Sequence, residues 1–383
     1  MLTKDDLKIK ENSVSQNGFL IIFGLYIAYE FLKSTTFAIP GVLEYPIYAI
    51  AFIFVGIKAI YFDKYTFRSF IEILLLGMIG AIVSYHVKSD TILMFTIFCI
   101  GANNIDFDKI IKVYVIEMIF LLIVIGLLSK YGFIMNYTYF RDGHLRNSFG
   151  TNYPTDFAAH VFYVVLGIIY LLREKFNIIL AIMLFLLSAW VLFTTNSRLD
   201  GYLTMILVVI LYLYYLYTKK HSLKLPVITC ASVIIGFMVI NLITYHYNAA
   251  DSYNVMLNKL MSGRLYLGNL AFNRYPLSLF GVKIQQIGFG GFNGYMLSAA
   301  ANRSNYFFID SSFVNMLLSY GILFSTVILY KITTKLYYLI KHNEYIIPLL
   351  FVFITISSVI DQHLLELVYD PFILILFAKK DIY

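Results

Sequence analysis

The chain has 383 residues, of which 60% are hydrophobic and 13% charged, and its mean hydropathy is +0.77. These values exclude a soluble domain of this length and fit a polytopic membrane protein. The net charge of +7 is scattered over many loops with no continuous basic stripe, so it speaks for membrane topology and against nucleic acid.

A polar tail (Met1 to Asn17) comes first, and no small-residue cleavage site follows the first apolar stretch. No cleavable signal peptide is expected. Twelve apolar segments then follow: Gly18–Phe37, Tyr45–Phe62, Phe70–Tyr85, Thr91–Ala102, Ile110–Leu128, Asp156–Leu172, Phe176–Thr194, Tyr202–Tyr217, Leu225–Tyr245, Asp310–Tyr330, Ile346–Ile360 and Leu364–Ala378. They predict an all-α polytopic membrane protein of about 12 transmembrane helices, forming one integral membrane domain over residues 1–383. The fourth segment and the last two are short for a bilayer of about 30 Å. Cys99 and Cys230 lie inside apolar segments, so neither a disulfide framework nor a metal cluster is indicated. No metal or cofactor is expected. Glu30 is a lone acid in the first segment, a thin case for an ion path.

Lysine sets the orientation. Taken with the N-terminus inside, the inner connections collect Lys4, Lys8, Lys10, Lys64, Lys109, Lys112, Lys175, Lys219, Lys220, Lys224, Lys331, Lys335, Lys341, Lys379 and Lys380, with Arg68 and Arg173. The short outer turns carry only Lys33, Lys88 and Arg198. This asymmetry predicts a cytoplasmic-membrane protein with both termini in the cytoplasm and an even number of spans. Arginine breaks the rule that lysine obeys. Arg141, Arg146, Arg198, Arg264, Arg274 and Arg303, six of the eight, fall in segments read as extracytoplasmic. A guanidinium grips phosphate oxygens in a two-pronged fork that an ammonium cannot make. An outer site for a phosphorylated, lipid-linked ligand is therefore expected.

Two outer connections are long, residues 129–155 and 245–309. In the second, Met256, Leu257, Leu260 and Met261, then Leu265, Leu267, Leu270 and Ala271, recur at spacings near three and four. Short helices on the membrane surface are expected in both loops, and in the second this spacing marks one or two of them. Walker A, zinc-protease and nucleophile-elbow patterns are absent. Gly288, Gly290, Gly291 and Gly294 read as a tight surface loop. His160 lies one turn after Asp156 and reads as a structural pair. Asn136-Tyr-Thr138 and Asn302-Arg-Ser304 fit the glycosylation sequon by chance.

Each arginine has a bland reading. Arg198, in the turn Thr194-Thr-Asn-Ser-Arg-Leu-Asp200, reads equally as a snorkelling side chain with Asp200 capping the next helix. Arg264, in Ser262-Gly-Arg264, reads as a solvated face residue. Arg146 reads as a loop charge, with Thr155 or Asp156 as a cap, and Asp310 as an N-cap. Sidedness lifts the set above its members: the groups stand at the mouths of separate spans on one face of one membrane.

These residues resemble the O-antigen polymerase and O-antigen ligase superfamily, on the branch of capsular or exopolysaccharide repeat-unit polymerases. The resemblance spans nearly the whole chain in topology. Locally it rests on Arg146 through Thr155, on Asn196-Ser-Arg198, on Ser262-Gly-Arg264 followed by Leu279-Phe-Gly281, and on Asp310 through Tyr320-Gly321. Thr155 stands where many relatives have Asn, and Asp310 where the ligases have His, which favours a polymerase.

The resemblance implies a glycosyltransferase acting on undecaprenyl-pyrophosphate-linked oligosaccharide, both as donor and as acceptor. An acceptor hydroxyl attacks the donor's anomeric carbon, undecaprenyl pyrophosphate leaves, and the anomeric configuration inverts. Arg198 and Arg264 are expected to steady the leaving pyrophosphate in place of a metal. Asp310 is the candidate general base. Arg146, Arg141, Arg274 and Thr155 are candidate substrate ligands. Outer tyrosines and phenylalanines can stack on sugars but also belong to interfacial belts. The implied partners are the lipid bilayer, a flippase and a chain-length regulator. A ligase on the same scaffold is the nearest rival. A lipid-linked glycan flippase is the rival from another class, and it demands paired intramembrane charges and broken spans.

Overall fold

The computed structural model describes residues 4–218, 224–299 and 306–380. Lys219, Lys220, Arg303 and the Asn302-Arg-Ser304 sequon lie outside the described residues. The helices are α1 (Lys4–Lys33), α2 (Glu44–Ile57), α3 (Phe67–Val87), α4 (Thr91–Gly101), α5 (Phe107–Lys130), α6 (Pro154–Leu171), α7 (Ile178–Thr195), α8 (Arg198–Thr218), α9 (Ser232–Tyr245), α10 (Ser252–Leu260), α11 (Arg264–Arg274), α12 (Gly291–Ala299), α13 (Ser312–Ser319), α14 (Gly321–Lys341) and α15 (Ile346–Ile360). A two-stranded hairpin, β1 (Thr138–Arg141) and β2 (His144–Asn147), stands between α5 and α6.

Seven of the described helical stretches are long and apolar enough to cross a membrane: Gly41–Phe62, Phe67–Val87, Phe107–Lys130, Pro154–Leu171, Ile178–Thr195, Arg198–Tyr217 and Val227–Tyr245. Thr91–Gly101 and Ile346–Ile360 are shorter apolar helices. The chain is a helical membrane protein.

Apolar pattern decides which helices are central. Helices α4 and α6 are apolar round most of their circumference, and most of their residues are buried, as such sequences require. Phe19 and Phe23, one turn apart on α1, stack on each other and set their edges against Phe98 of α4. The peripheral helices keep a wide exposed apolar face, with Phe52 and Ile53 on α2, Leu74 and Met78 on α3, and Met183 and Leu186 on α7. A bilayer covers such a belt, which water would not tolerate.

Contacts sort the chain into two ends. At the hairpin end, Thr36 donates to Gly150 O (2.8 Å) and Asn152 to Ser34 O (2.8 Å). Asn269 of α11 also donates there to the last carbonyls of α9. At the far end, Lys331 meets Glu72, Lys380 meets Asp108, and Lys58 meets Asp63. Lys58, Lys331 and Lys380 thus lie at one end, together with Arg68 and Arg173, and Arg141, Arg146, Arg198 and Arg264 lie at the other.

Three segments differ from the sequence reading. Asp310–Tyr330 is not one helix: α13 stops at Ser319, and α14 starts at Gly321 (φ +86°). The break is held open by the loop after α11. Leu318 O accepts from Val282 N (3.2 Å), while Ile322 N donates to Ser278 O (3.0 Å) and Leu323 N to Leu279 O (3.1 Å). Leu364–Ala378 forms no α-helix. It crosses the bundle as short 3-10 turns at His363–Leu365 and Pro371–Leu376. Pro371 bars its predecessor from the helical region. The freed carbonyls of Val368 and Tyr369 accept from the Tyr114 hydroxyl (3.2 and 2.7 Å). Non-helical backbone survives at this depth because protein surrounds it. Finally, the loop at 129–155 holds the β1–β2 hairpin and no short helix, whereas the loop at 245–309 holds α10, α11 and α12.

The far end depends on one buried pair. Lys58 is fully buried and reaches Asp63 (2.7 Å) and Asn103 O (2.6 Å). Lys58→Met is expected to cost about 3–5 kcal/mol by stranding the Asp63 carboxylate. Thermal unfolding in detergent reads this loss, and a second change, Asp63→Asn, should recover part of it.

Candidate functional site

Two polar groups form at the hairpin end. The first centres on Arg264. Ser262 (φ +55°) and Gly263 (φ +90°) turn the chain sharply between α10 and α11, which leaves Arg264 at the first position of α11. Its guanidinium points at the end of α15. Nε donates to Ile360 O (2.9 Å) and lies 3.3 Å from Asp310 Oδ2, while Nη2 lies 3.6 Å from Asp361 Oδ1. Asp310 is brought in because a single antiparallel bridge in the segment before α13 pairs Phe307 with Ile287 and Gln286 accepts from Ile309 N (2.8 Å). Burial opposes the Arg264 charge. Asp310 first, then Asp361, Tyr306 and Asp200, overcome this and hold its pKa above the ordinary guanidinium value.

Asp200 sits in the first turn of α8, 2% exposed. Its Oδ2 accepts from Ser197 Oγ (2.7 Å), while its buried Oδ1 has no partner among the described residues. His363 pairs with Glu366 (3.0 Å). Tyr369 is sandwiched between the rings of His363 (3.7 Å) and His160 (3.9 Å). The His160 ring contacts Ser34 Oγ (3.4 Å), so Asp156 is not its bonded partner in the described hydrogen bonds.

The second group is the hairpin. Asp142 (φ +52°) and Gly143 (φ +78°) form its two-residue turn, the residue pair that such turns favour. Tyr139 pairs with Arg146 and Arg141 with His144, so strand alternation puts Tyr139, Arg141 and Arg146 on one face. Phe140 and Leu145 occupy the exposed face. Arg146 is 1% exposed. Its Nε donates to Thr195 O (2.7 Å), Nη1 reaches the Tyr153 hydroxyl (3.4 Å), and the guanidinium stacks over the Tyr153 ring (5.3 Å). Arg141 Nη2 donates to Asn196 O (3.1 Å). Arg198 pairs with Asp142 (3.0 Å) and stays half-exposed.

Three buried donor nitrogens here have no acceptor among the described residues: Arg146 Nη2, Arg141 Nε and Asn196 Nδ2. Asp142 Oδ2 is 4.0 Å from Arg141 Nε, too far for a hydrogen bond. Burial, and next the Arg146 and Arg198 charges, push the Arg141 pKa down. Among the described residues the group carries three guanidinium charges against the single Asp142 carboxylate. Aromatic stacks adjoin the hairpin through Tyr139, which donates to Phe289 O (2.7 Å) and meets Tyr295 edge-on: Tyr137 stacks on Tyr295 (4.7 Å), and Phe289 on Tyr306 (4.5 Å).

The structure thus joins Arg264 to Asp310, and Arg141 to Arg146 and Arg198. It does not gather Arg198 and Arg264 onto one partner. Arg274 caps its own loop, stacked on Phe307 (4.9 Å). Thr155 is half-buried in the first turn of α6. The expected caps differ too. Tyr153 is the N-cap of α6 and Ser311 that of α13, so neither Thr155, Asp156 nor Asp310 serves. Asp361, His363, Glu366 and Asn196 escaped the sequence reading. The signal for three of them was the run Asp361-Gln-His363 between two apolar segments and Glu366 inside the second of these, where polar residues mark function. No family model, curated protein or solved structure matches the chain.

Proposed function

We propose that the protein is a polysaccharide polymerase of the O-antigen polymerase and ligase type. It would join undecaprenyl-pyrophosphate-linked repeat units at the outer face of the cytoplasmic membrane. In this reading the chain makes twelve passes, the last of them the non-helical one, with both termini in the cytoplasm and the hairpin end outside. The observation that carries the reading is the set of orphaned donors, Arg146 Nη2, Arg141 Nε and Asn196 Nδ2, beside the Arg264–Asp310 pair at the same end. Buried donors without acceptors cost free energy unless a ligand fills them. A diphosphate supplies several acceptor oxygens and the negative charge this group lacks.

The roles follow from that charge balance. Arg141, Arg146 and Arg198 hold the donor's diphosphate and steady the charge it gains as it leaves. Arg264 is already paired with two aspartates, so it serves by fixing Asp310. Asp310 takes the proton from the acceptor hydroxyl as that oxygen bonds to the anomeric carbon. The Tyr137–Tyr295 and Phe289–Tyr306 stacks offer faces for sugar rings.

Arg146→Ala, purified and supplied with lipid-linked repeat units, is expected to lose about a hundredfold in polymerisation rate. Arg146→Lys should fail as well, since lysine cannot make the fork. Unchanged polymer length in both variants refutes the assignment.

A flippase reading is favoured by one observation, the broken α13–α14 helix packed near a non-helical pass, as transporter sites are built. Proteoliposomes decide between the two. Movement of a labelled lipid-linked glycan across the bilayer without polymer would replace the polymerase reading.

A further inference from the structure

Glu117 is an acid that the proposed reaction does not use. It stands on α5 ten residues from Phe107 and thirteen from Lys130, about 15 and 20 Å from the two helix ends. Its half-buried carboxyl crosses to α1 and lies over Gly24, where a Cβ would come within 2.9 Å of Oε2. Among the described residues it has no hydrogen-bond or ion-pair partner. The carboxyl opens into a cleft of about 370 Å³ lined by Leu20, Ile21, Leu25, Ala28 and Val113. Ile21, Leu25, Ile116 and Phe120 are exposed beside it, so the cleft faces the bilayer and not the bundle interior. Lipid tails offer such a carboxyl no donor, and acids at this depth are found paired or lining a polar cavity. We propose that the α1–α5 cleft docks a transmembrane helix of another protein, one that brings a basic side chain to Glu117.

Charge complementarity selects this occupant over the others. A lipid chain would fill the volume and leave the carboxyl without a partner. A second copy of this chain brings no free cation to that depth. Within the seven stretches long enough to span, every described lysine or arginine stands within six residues of an end. In α14, Lys331 is held by Glu72 and Lys335 reaches the Ala378 carbonyl. A foreign helix meets both needs, with apolar side chains in the cleft and one long basic side chain on the acid. Helices associate in a bilayer where small residues let backbones approach and polar side chains pair across the contact. Gly24 and Ala28, one turn apart on α1, provide the approach, and Glu117 provides the pairing group. Nothing in this inference rests on the polymerase reading.

The probe is a labelled leucine-alanine transmembrane peptide of about 22 residues with one central lysine, compared with the same peptide carrying a central leucine. Each is mixed with the labelled full-length protein in proteoliposomes, and energy transfer reads association. The lysine peptide is expected to bind about five- to thirtyfold more tightly than the leucine peptide. Glu117→Leu should erase this preference by removing the carboxyl, and Gly24→Leu by filling the space the carboxyl occupies. Glu117→Gln keeps the shape and removes the charge, so it tests the same pairing in a protein whose packing is unchanged, and it should lose most of the preference. Equal binding of the two peptides to the wild type would leave lipid as the cover of the cleft and overturn the proposal. An undiminished preference in Glu117→Gln would overturn it as well. So would energy transfer between two copies of the protein that disappears in Glu117→Leu, because the occupant would then be a second copy. Polymer synthesis is read in none of these arms, so failure of the polymerase reading leaves their result untouched.

Discussion

Arg264→Ala is expected to lose both chemistry and stability, and the two losses separate by measurement. Without the guanidinium, Asp310 loses its ion-pair partner, and in the proposed reaction disabling a positioned general base costs about 10²- to 10⁴-fold in rate. The same change leaves Asp310 and Asp361 as unpaired carboxylates in a largely buried site. Breaking a buried pair from one side costs about 3–5 kcal/mol. A polymerisation assay reads the first effect and thermal unfolding in detergent the second. The double variant Arg264→Ala with Asp310→Asn should regain stability and no activity. Such non-additivity marks two residues that act as a unit. Full recovery of rate in the double variant would remove Asp310 from the reaction.

Gly281→Ala or Gly321→Ala should prevent the site from assembling at all. Both glycines are left-handed, with φ of +81° and +86°, and they face each other where the loop closes on the helix break. A Cβ on Gly281 would run into the Ser319 carbonyl, and one on Gly321 into the Gly281 nitrogen and the Leu279 carbonyl. Backbone cannot move aside as a flexible side chain can. Strain of this kind plus the lost bonds to Ser278, Leu279 and Leu318 costs about 3 kcal/mol or more. The measurement is the monodisperse fraction on size exclusion together with melting temperature. The expected result is a protein that is made but aggregates or melts early. Wild-type melting in either variant would mean the loop does not depend on this contact.

This pairing also explains why widely spaced residues act together. Gly281 lies 17 positions after Arg264, and Gly321 lies 11 after Asp310. Their contact holds the loop that starts at α11 against the segment that carries Asp310. The short sequence patterns behind the family resemblance therefore include residues of two kinds. Arg264 and Asp310 form an ion pair, while Gly281 and Gly321 close the fold around it.

Hydropathy by itself determined that this is a helical membrane protein, roughly where its helices lie, and which basic residues share an end. Those properties are sums over neighbouring residues, so a linear scan contains them. It also picked out Arg264 and Asp310, because charges at the mouths of apolar segments stand out. The hairpin was legible in principle from Asp142-Gly143, but its strands are four residues each, too short to declare themselves among loop residues. Only the tertiary structure decided which arginine meets which partner, that the last apolar segment is not a helix, and that Asp361, His363 and Asn196 belong to the site. Each of these depends on groups far apart in the chain. The carbonyls freed around Tyr369 are satisfied by Tyr114, 255 residues away, and the Thr195 carbonyl that anchors Arg146 is 49 residues away. A local scan weighs each segment as if lipid or water were its only surroundings. Packing supplies other partners, and those partners set both the backbone and the charge balance of the site.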